Sequence, residues 1–120
     1  MGKVLVADDE DTMRMLITET LSLADYKVLE ATNGEEALKI IKEEKPKIIL
    51  LDLMMPKMDG YDVIKQLEED DLIDKSKIVI LTAKGPQEEK ELALQQGADY
   101  FLSKPFSPME LLDLVEEVDD

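Results

Sequence analysis

Residues 48–52 have the sequence IILLD, four consecutive aliphatic residues closed by an aspartate. Two other segments have the same character, since residues 4–7 (VLVA) precede Asp8 and residues 78–81 (IVIL) precede Thr82. Continuous aliphatic runs of this length are typical of strands that are covered on both faces in a parallel sheet. A carboxylate at the end of such a run is costly to bury, so this position indicates a function.

Helical patterns separate the aliphatic runs, and the alternation extends along the whole chain. Strands are predicted at residues 3–7, 27–31, 48–52, 78–82 and 100–103. Each strand is followed by a segment with apolar residues three or four positions apart, which is the spacing of an amphipathic helix. The pattern predicts an α/β protein with a doubly wound, five-stranded parallel sheet, formed as one domain by residues 1–120.

Capping signals mark where the helices begin. The second predicted helix begins at Asn33, with Glu36 three residues later as a capping box, and the fifth begins at Ser107 with Glu110 in the same relation. The fourth, at residues 86–96, has a thin apolar face under a charged exterior. We expect this fourth helix to be the loosest of the five.

The composition excludes several classes of function. A formal net charge of -15 argues against direct binding of nucleic acid, which depends on clustered Lys and Arg. The chain has no His, so it is not itself a histidine kinase or a histidine phosphotransfer protein, and no Cys, which removes thiolate metal sites. No apolar run approaches the roughly 20 residues of a membrane helix, and no secretory signal is visible, so we expect a cytoplasmic protein.

Polar side chains follow the predicted strands at the edge where their carboxyl ends meet. Asp8 and Asp9 follow the first strand, Asp52 ends the third, Thr82 ends the fourth and Lys104 follows the fifth. Ligands of such sheets bind beyond this edge. Two carboxylates about 4 Å apart repel each other by roughly 4 kcal/mol at an effective dielectric constant near 20, so the cluster needs a cation. Mg2+ suits a site with few carboxylate ligands, and Lys104 adds a second positive charge.

Four motifs together resemble the receiver domain of bacterial-type two-component response regulators, and the resemblance covers the whole chain. They are Asp8-Asp9 followed by Thr12-Met13-Arg14, the segment DLMMPKMDG at residues 52–60, Leu81-Thr82-Ala83, and Lys104-Pro105-Phe106. The resemblance, which is to chemotaxis-regulator-like single domains, implies a flavodoxin-like (βα)5 fold with strand order 2-1-3-4-5. It also implies a phosphorylated signalling switch rather than an enzyme with a separate substrate.

The resemblance implies a role for each matched site residue. Asp52 would accept a phosphoryl group from the phosphohistidine of a histidine kinase or histidine phosphotransfer protein, forming an acyl phosphate. Asp9, Asp52 and the backbone carbonyl of Met54 would hold Mg2+ or Mn2+, while Asp8 would support the cation partly through water. Lys104 would pair with a phosphoryl oxygen.

The implied switch involves Thr82 and Phe101. The Thr82 hydroxyl would turn toward the phosphoryl group, and Phe101, at the family's aromatic position three residues before Lys104, would then pack inward. A downstream effector would bind the changed surface of the fourth helix, fifth strand and fifth helix, with the protein a monomer or a phosphorylation-dependent dimer. The Lys104-Pro105 peptide bond is expected to be cis, as in the family.

Two further positions predict how long the phosphoryl group lasts. Met54 and Lys84 each lie two residues beyond a site residue, Asp52 and Thr82 respectively. A bulky apolar side chain and a long cation would hinder the water that hydrolyses the acyl phosphate. We therefore expect a rather long-lived phosphoryl group.

Other interpretations of the same residues stay open at this point. Asp8-Asp9 could simply complement a helix dipole, and Thr82 and Lys104 taken singly fit an ordinary strand residue and a solvated charge. A phosphatase of the haloacid dehalogenase type would need a second aspartate where Met54 stands. A flavin carrier would need a phosphate-binding loop in place of the acidic one after the first strand. A receiver-like domain used only for docking would keep the fold and take no phosphate.

Overall fold

Strands and helices alternate along the chain in the computed structural model, which describes residues 2–83 and 97–119. The strands are β1 (Lys3–Ala7), β2 (Lys27–Ala31), β3 (Ile48–Asp52), β4 (Lys77–Ala83) and β5 (Tyr100–Lys104). The helices are α1 (Asp11–Leu23), α2 (Gly34–Glu44), α3 (Gly60–Glu69) and α4 (Pro108–Asp119), with a short 3-10 helix at Ile73–Lys75. Helix α4 is the fifth helix predicted from the sequence. The predicted fourth helix, residues 86–96, lies outside the described residues and stays a prediction.

All five strands pair in parallel in the order β2-β1-β3-β4-β5, which confirms the predicted sheet and its strand order. Ala7 of β1 pairs with Leu51 of β3, and Asp52 pairs with Leu81 of β4. The residue after β1, Asp8, therefore lies level with Asp52. This register brings the polar ends of neighbouring strands to one edge of the sheet.

The aliphatic strand residues alternate between two cores. Leu5, Ile49 and Ile80 contact α2 and α3 on one face, whereas Val6 and Leu50 contact α1 and α4 on the other. All of these side chains are fully buried. Helices cover both faces, which is why the central strands are continuously apolar rather than alternating.

The helices begin as the capping signals predict, with one correction. At α4, Ser107 Oγ accepts from the Glu110 N–H at 3.1 Å, and Glu110 Oε1 accepts from the Ser107 N–H at 3.3 Å. At α2, Asn33 Oδ1 accepts from the Glu36 N–H at 2.9 Å, but Glu36 Oε1 accepts from the Thr32 N–H at 2.8 Å. A full capping box requires the Glu36 carboxylate to accept from the Asn33 N–H, and this part of the prediction is wrong. At Thr32 the carboxylate also accepts from the hydroxyl, at 3.3 Å, so it gains a second donor there.

Strand bounds differ little from those predicted. The first three strands have the predicted ends, while β4 begins one residue earlier and ends one later, and β5 ends one residue later at Lys104. Within the two described ranges, no helix has the length and apolar character that crossing a membrane requires.

Candidate functional site

Three carboxylates converge at the carboxyl edge of the sheet. Asp8 and Asp9 follow β1, Asp52 ends β3, and one oxygen of each lies within 4.8 Å of the others. The convergence follows from the parallel register of β1 and β3, which are neighbours. Asp8 is fully buried and Asp52 is 6% exposed, whereas Asp9 faces solvent. The group could hold a metal ion, with Asp9 on its open side.

Lys104, the last residue of β5, is the cation of this cluster. Its Nζ lies 2.8 Å from Asp8 Oδ2, 3.4 Å from Asp52 Oδ2 and 3.7 Å from Glu10 Oε1. The peptide bond to Pro105 is cis, as expected. Burial lowers the pKa of Lys104, but its hydrogen bond to Asp8 and the charges of Asp52 and Asp8 outweigh burial, so the pKa is raised. The ammonium group therefore stays charged and offsets part of the acidic cluster.

Asp52 is the carboxylate whose ionisation is most affected by its surroundings. Burial, followed by the neighbouring charge of Asp8, raises the pKa of Asp52 to about 6. Lys104 and the backbone N–H of Met54, which donates to Asp52 Oδ1 at 3.2 Å, oppose this increase. Burial is the largest cause of the increase, and the positive charge of Lys104 offsets only part of it. A strongly perturbed carboxyl beside charged groups is typical of a functional site.

The loop between β3 and α3 folds back on the end of β3. Gly60 donates its N–H to the Leu53 carbonyl at 3.0 Å. Asp59 caps α3 by accepting from the Asp62 N–H at 2.9 Å, and Asp62 accepts in return from the Asp59 N–H at 3.3 Å. The capping box and the Gly60 bond fix the loop that follows Asp52.

The remaining predicted site residues differ in burial and in the elements they contact. Thr82 is nearly buried and comes one position after Leu81, the partner of Asp52 across β3 and β4. Phe101 is half-buried against the core beneath α2 and α3. Met54 is 79% exposed beside the cluster. Lys84 lies outside the described residues.

Sequence reasoning missed two residues at the margin of the cluster. The Glu10 carboxylate contacts Lys104, and the Glu10 N–H donates to Asp8 Oδ1 at 2.9 Å. Arg14 donates to the Asp8 carbonyl at 2.9 Å. Arg14 belonged to a matched motif but received no role, because side-chain reach across a turn is not visible in residue spacing.

A family model described as the response regulator receiver domain matches residues 4–116. The chain belongs to this family. Among curated relatives, the alkaline phosphatase synthesis transcriptional regulatory protein PhoP of Bacillus subtilis is 46% identical over 109 residues, which are 91% of this chain and 45% of PhoP. The phosphate regulon transcriptional regulatory protein PhoB of Pseudomonas aeruginosa is 40% identical over 119 residues, which are 98% of this chain and 52% of PhoB. The chain thus spans about half the length of these curated relatives.

Solved receiver structures agree with the sheet topology of this receiver domain. The chemotaxis response regulator CheY4 of Vibrio cholerae has a TM-score of 0.92 at 33% identity, covering 98% of each chain. The receiver domain of Francisella response regulator 1452 has a TM-score of 0.91 at 33% identity, covering 98% of this chain and 96% of that one. The resemblance to two-component receiver domains is confirmed, and the phosphatase and flavin-carrier alternatives lose their support.

Proposed function

We propose that this receiver domain is the phosphoacceptor of a two-component phosphorelay and that Asp52 accepts the phosphoryl group. One observation carries the proposal. Asp52 is a nearly buried carboxylate at the end of the central strand, with its pKa raised to about 6, and it faces both a cation and further acids. Lys104 Nζ, 3.4 Å from Asp52 Oδ2, favours the ionised form of this carboxylate, and the ionised form is the nucleophile.

The phosphotransfer step follows from the chemistry of Asp52. A carboxylate oxygen attacks phosphorus of a phosphohistidine, a P–O bond forms and the P–N bond breaks, and the bonding pair returns to the ring nitrogen. The imidazole leaves in neutral form because its other ring nitrogen already carries a proton. The histidine would lie outside these 120 residues, in a histidine kinase or a histidine phosphotransfer protein, because they contain no His. Lys104, which already contacts Asp52 Oδ2 at 3.4 Å, would pair with a phosphoryl oxygen.

The acidic cluster fits a divalent cation. Its three carboxylates offer oxygens within 4.8 Å of one another, and hard oxygen ligands suit Mg2+ or Mn2+. Asp9, Asp52 and the backbone carbonyl of Met54 would hold the cation, with Asp8 supporting it partly through water. When bound, such a cation offsets negative charge on the carboxylates and the phosphoryl oxygens.

The output of the switch would pass through β4 and β5. The Thr82 hydroxyl would turn toward the phosphoryl group and draw the end of β4 inward, and Phe101 would pack behind it. An effector or a second phosphorylated copy would then bind a surface that includes β5 and α4. The predicted fourth helix, residues 86–96, which the proposal adds to this surface, lies outside the described residues.

The two curated relatives described above, PhoP and PhoB, are transcriptional regulatory proteins about twice the length of this chain. DNA binding of that kind would belong to sequence outside this receiver domain, because a net charge of -15 disfavours contact with nucleic acid. The cytoplasmic location stays a prediction.

The test is incubation with Mg2+ and acetyl phosphate, followed by intact mass measurement and peptide mapping after borohydride reduction of the acyl phosphate. We expect one phosphoryl group per chain, located on Asp52, and none in Asp52→Asn. The matched control is Asp59→Asn in the same loop, which keeps a good helix cap and should be modified normally. No modification of the folded wild type, or modification at another residue, would contradict the proposal and favour a domain used only for docking.

A further inference from the structure

The side chain of Arg14 contacts three parts of the corner beside the acidic cluster. Its Nη1 donates to the Asp8 carbonyl at 2.9 Å, its Nη2 to Asp11 Oδ1 at 2.6 Å, and its Nε to Glu30 Oε1 at 3.4 Å. The guanidinium group has donors on all three nitrogens in a rigid plane, so one side chain can reach three acceptors at once. The Arg14 side chain is only 14% exposed, although Asp11 is 88% exposed. The contact with the Asp8 carbonyl is therefore the part of the network shielded from water.

The same corner is fixed from the backbone. The Asp8 N–H donates to the Ala31 carbonyl of β2 at 3.1 Å, and the Arg14 N–H donates to the Glu10 carbonyl at 3.0 Å. Together with the Arg14 side chain, these bonds hold both backbone groups of Asp8 and the turn that follows it. Glu30, in the same strand as Ala31, joins the guanidinium group to the outer strand of the sheet.

The Asp8 carbonyl is part of the peptide plane that joins Asp8 to Asp9. A planar peptide moves as one rigid unit. A hydrogen bond to its carbonyl therefore restricts rotation of the plane, and with it the backbone conformation at both Asp8 and Asp9. The Asp8 carboxylate is held separately by the Glu10 N–H at 2.9 Å and by Lys104 at 2.8 Å. Among the described residues, the Asp9 side chain makes no hydrogen bond or ion pair. The direction of the Asp9 side chain therefore depends on the backbone more than that of Asp8 does.

We propose that Arg14 is a positioning residue for the divalent cation: by holding the Asp8 carbonyl, it sets the peptide plane that presents Asp9 toward the site shared with Asp8 and Asp52. The proposal rests on the proposed function, since it requires that the acidic cluster takes a divalent cation. Groups that orient metal ligands typically change metal affinity by about 10-fold to 100-fold when removed.

The sign of the effect separates positioning from simple electrostatics. Arg14 is itself a cation close to the cluster, so removal of its charge alone would reduce repulsion and tighten cation binding. Loss of positioning weakens binding instead. Arg14→Lys keeps the charge but cannot direct bonds from three planar nitrogens, so it tests geometry with little change in charge.

Mn2+ is the probe, because free and bound Mn2+ are distinguished by electron paramagnetic resonance without phosphorylation. Titrations of the wild type, Arg14→Ala and Arg14→Lys are compared at a temperature where circular dichroism shows each protein folded. We expect the Kd for Mn2+ to increase about tenfold in Arg14→Ala, and in the same direction but less in Arg14→Lys. If Arg14→Ala does not fold, Arg14→Lys decides alone.

Lys3→Ala is the matched control for charge. Lys3 is the first residue of β1 and lies at the end of the sheet opposite the acidic cluster. It pairs with Glu44 at 2.9 Å, and its removal also deletes one positive charge. We expect its Kd for Mn2+ to equal that of the wild type.

The outcomes separate the two proposals. If the wild type binds Mn2+ and both Arg14 variants bind it equally well or more tightly, the positioning role is overturned while the proposed phosphoacceptor function stands. A lower melting temperature with an unchanged Kd would likewise overturn it, because that is the result of a purely structural role. If the folded wild type binds no Mn2+, the metal part of the proposed function fails, and the role of Arg14 fails with it.

Discussion

Gly60 lies so close to the backbone of Asp52 that a β-carbon at position 60 would be 2.8 Å from the Asp52 carbonyl oxygen. The same atom would be 3.0 Å from the Leu53 Cα. Real β-carbons essentially never approach backbone atoms this closely, so any other residue would displace one of the two segments. The end of β3, where the proposed phosphoacceptor stands, is therefore packed directly against the first residue of α3.

Gly60→Ala should destabilise the protein and slow its phosphorylation together. Overpacking against backbone costs about 1 to 3 kcal/mol, and the better helix propensity of alanine offsets at most about 1 kcal/mol of this. Relief of the clash must move the Asp52 backbone or α3, so the rate of modification by acetyl phosphate should fall as well. Urea unfolding followed by circular dichroism measures the first effect, and timed mass spectra measure the second.

Gly2→Ala is the control for the loss of a glycine. Its added β-carbon would meet the flexible side chain of Lys47, at 3.1 Å from Cδ, which can move away. We expect stability and phosphorylation rate close to those of the wild type. Wild-type behaviour of Gly60→Ala in both measurements would show that the contact with Asp52 does not constrain the site.

The stability of the metal-free protein should depend on pH through Asp52. Burial raises the pKa of Asp52 to about 6 in the folded protein, above the value of about 4 of an unfolded chain. The stability contributed by this group is fully present below the unfolded pKa and is lost as the pH rises through 6. Relative to Asp52→Asn, the wild type should lose up to roughly 3 kcal/mol of unfolding free energy between pH 4 and 7.

Urea unfolding of the wild type and Asp52→Asn at several pH values, without divalent cations, measures this difference. Carboxyl groups outside the acidic cluster titrate equally in both proteins and cancel in the comparison. Mg2+ at pH 7.5 should stabilise the wild type more than the variant, because the ionised Asp52 is one of the proposed ligands. An Asp52→Asn variant less stable than the metal-free wild type at pH 7.5 would contradict the interpretation that the ionised Asp52 carboxylate destabilises the folded protein.

Most of the fold could be predicted because short aliphatic runs, which alone could also be buried helix, alternate regularly with helical patterns. Residues 48–52 are buried on both faces, so only a central parallel strand accommodates them, and the predicted bounds of this strand are confirmed. Local competition between donors was harder to predict, as the bond from the Thr32 N–H to Glu36 shows. The 3-10 helix at Ile73–Lys75 was missed because three residues have no periodicity to recognise.

The site residues could be located at strand ends, but not their individual environments. Adjacent positions such as Asp8 and Asp9 look equivalent in sequence, yet the first is fully buried and the second is exposed. Asp8 contacts Lys104, which is 96 residues away in sequence, and a contact of this kind is not visible in local residue spacing. Arg14 escaped assignment for the same reason, since it belongs to α1 and its partner Glu30 belongs to β2.

Lys104→Met should destabilise the metal-free protein far more than an ordinary lost ion pair. Lys104 is 15% exposed and contacts the buried carboxylates of Asp8 and Asp52, more closely than any other cation in the described part of the chain. Removal of one partner from a largely buried charged group costs about 3 kcal/mol or more. We expect saturating Mg2+ to recover part of this loss, because the cation replaces the missing positive charge. Urea unfolding with and without Mg2+ measures both effects.

Lys42→Met is the matched control for Lys104→Met. Lys42 pairs with Asp70 at 3.2 Å, and their side chains are 50% and 31% exposed. A surface pair of this kind contributes at most about 1 kcal/mol, and Mg2+ should not alter its effect. Equal destabilisation by the two variants, independent of Mg2+, would show that Lys104 does not offset the negative charge of the acidic cluster.

Met54 and Lys84 should set the lifetime of the phosphoryl group. Met54 is 79% exposed next to the cluster, where its apolar side chain can exclude water from one side of Asp52, and Lys84 lies two residues after Thr82. Met54→Asn would place a hydrogen-bonding group there that can orient water, and Lys84→Glu would replace the long cation. Positioned proton-transfer groups typically contribute about 100-fold or more to a rate, and an Asn that only orients water supplies part of such an effect. We therefore expect dephosphorylation to be faster by roughly tenfold in the double variant. The decay of the phosphorylated protein after removal of acetyl phosphate, followed by intact mass, measures the lifetime.

Met58→Asn in the same loop is the control, and an unchanged decay rate in the Met54→Asn and Lys84→Glu double variant would show that these positions do not govern hydrolysis.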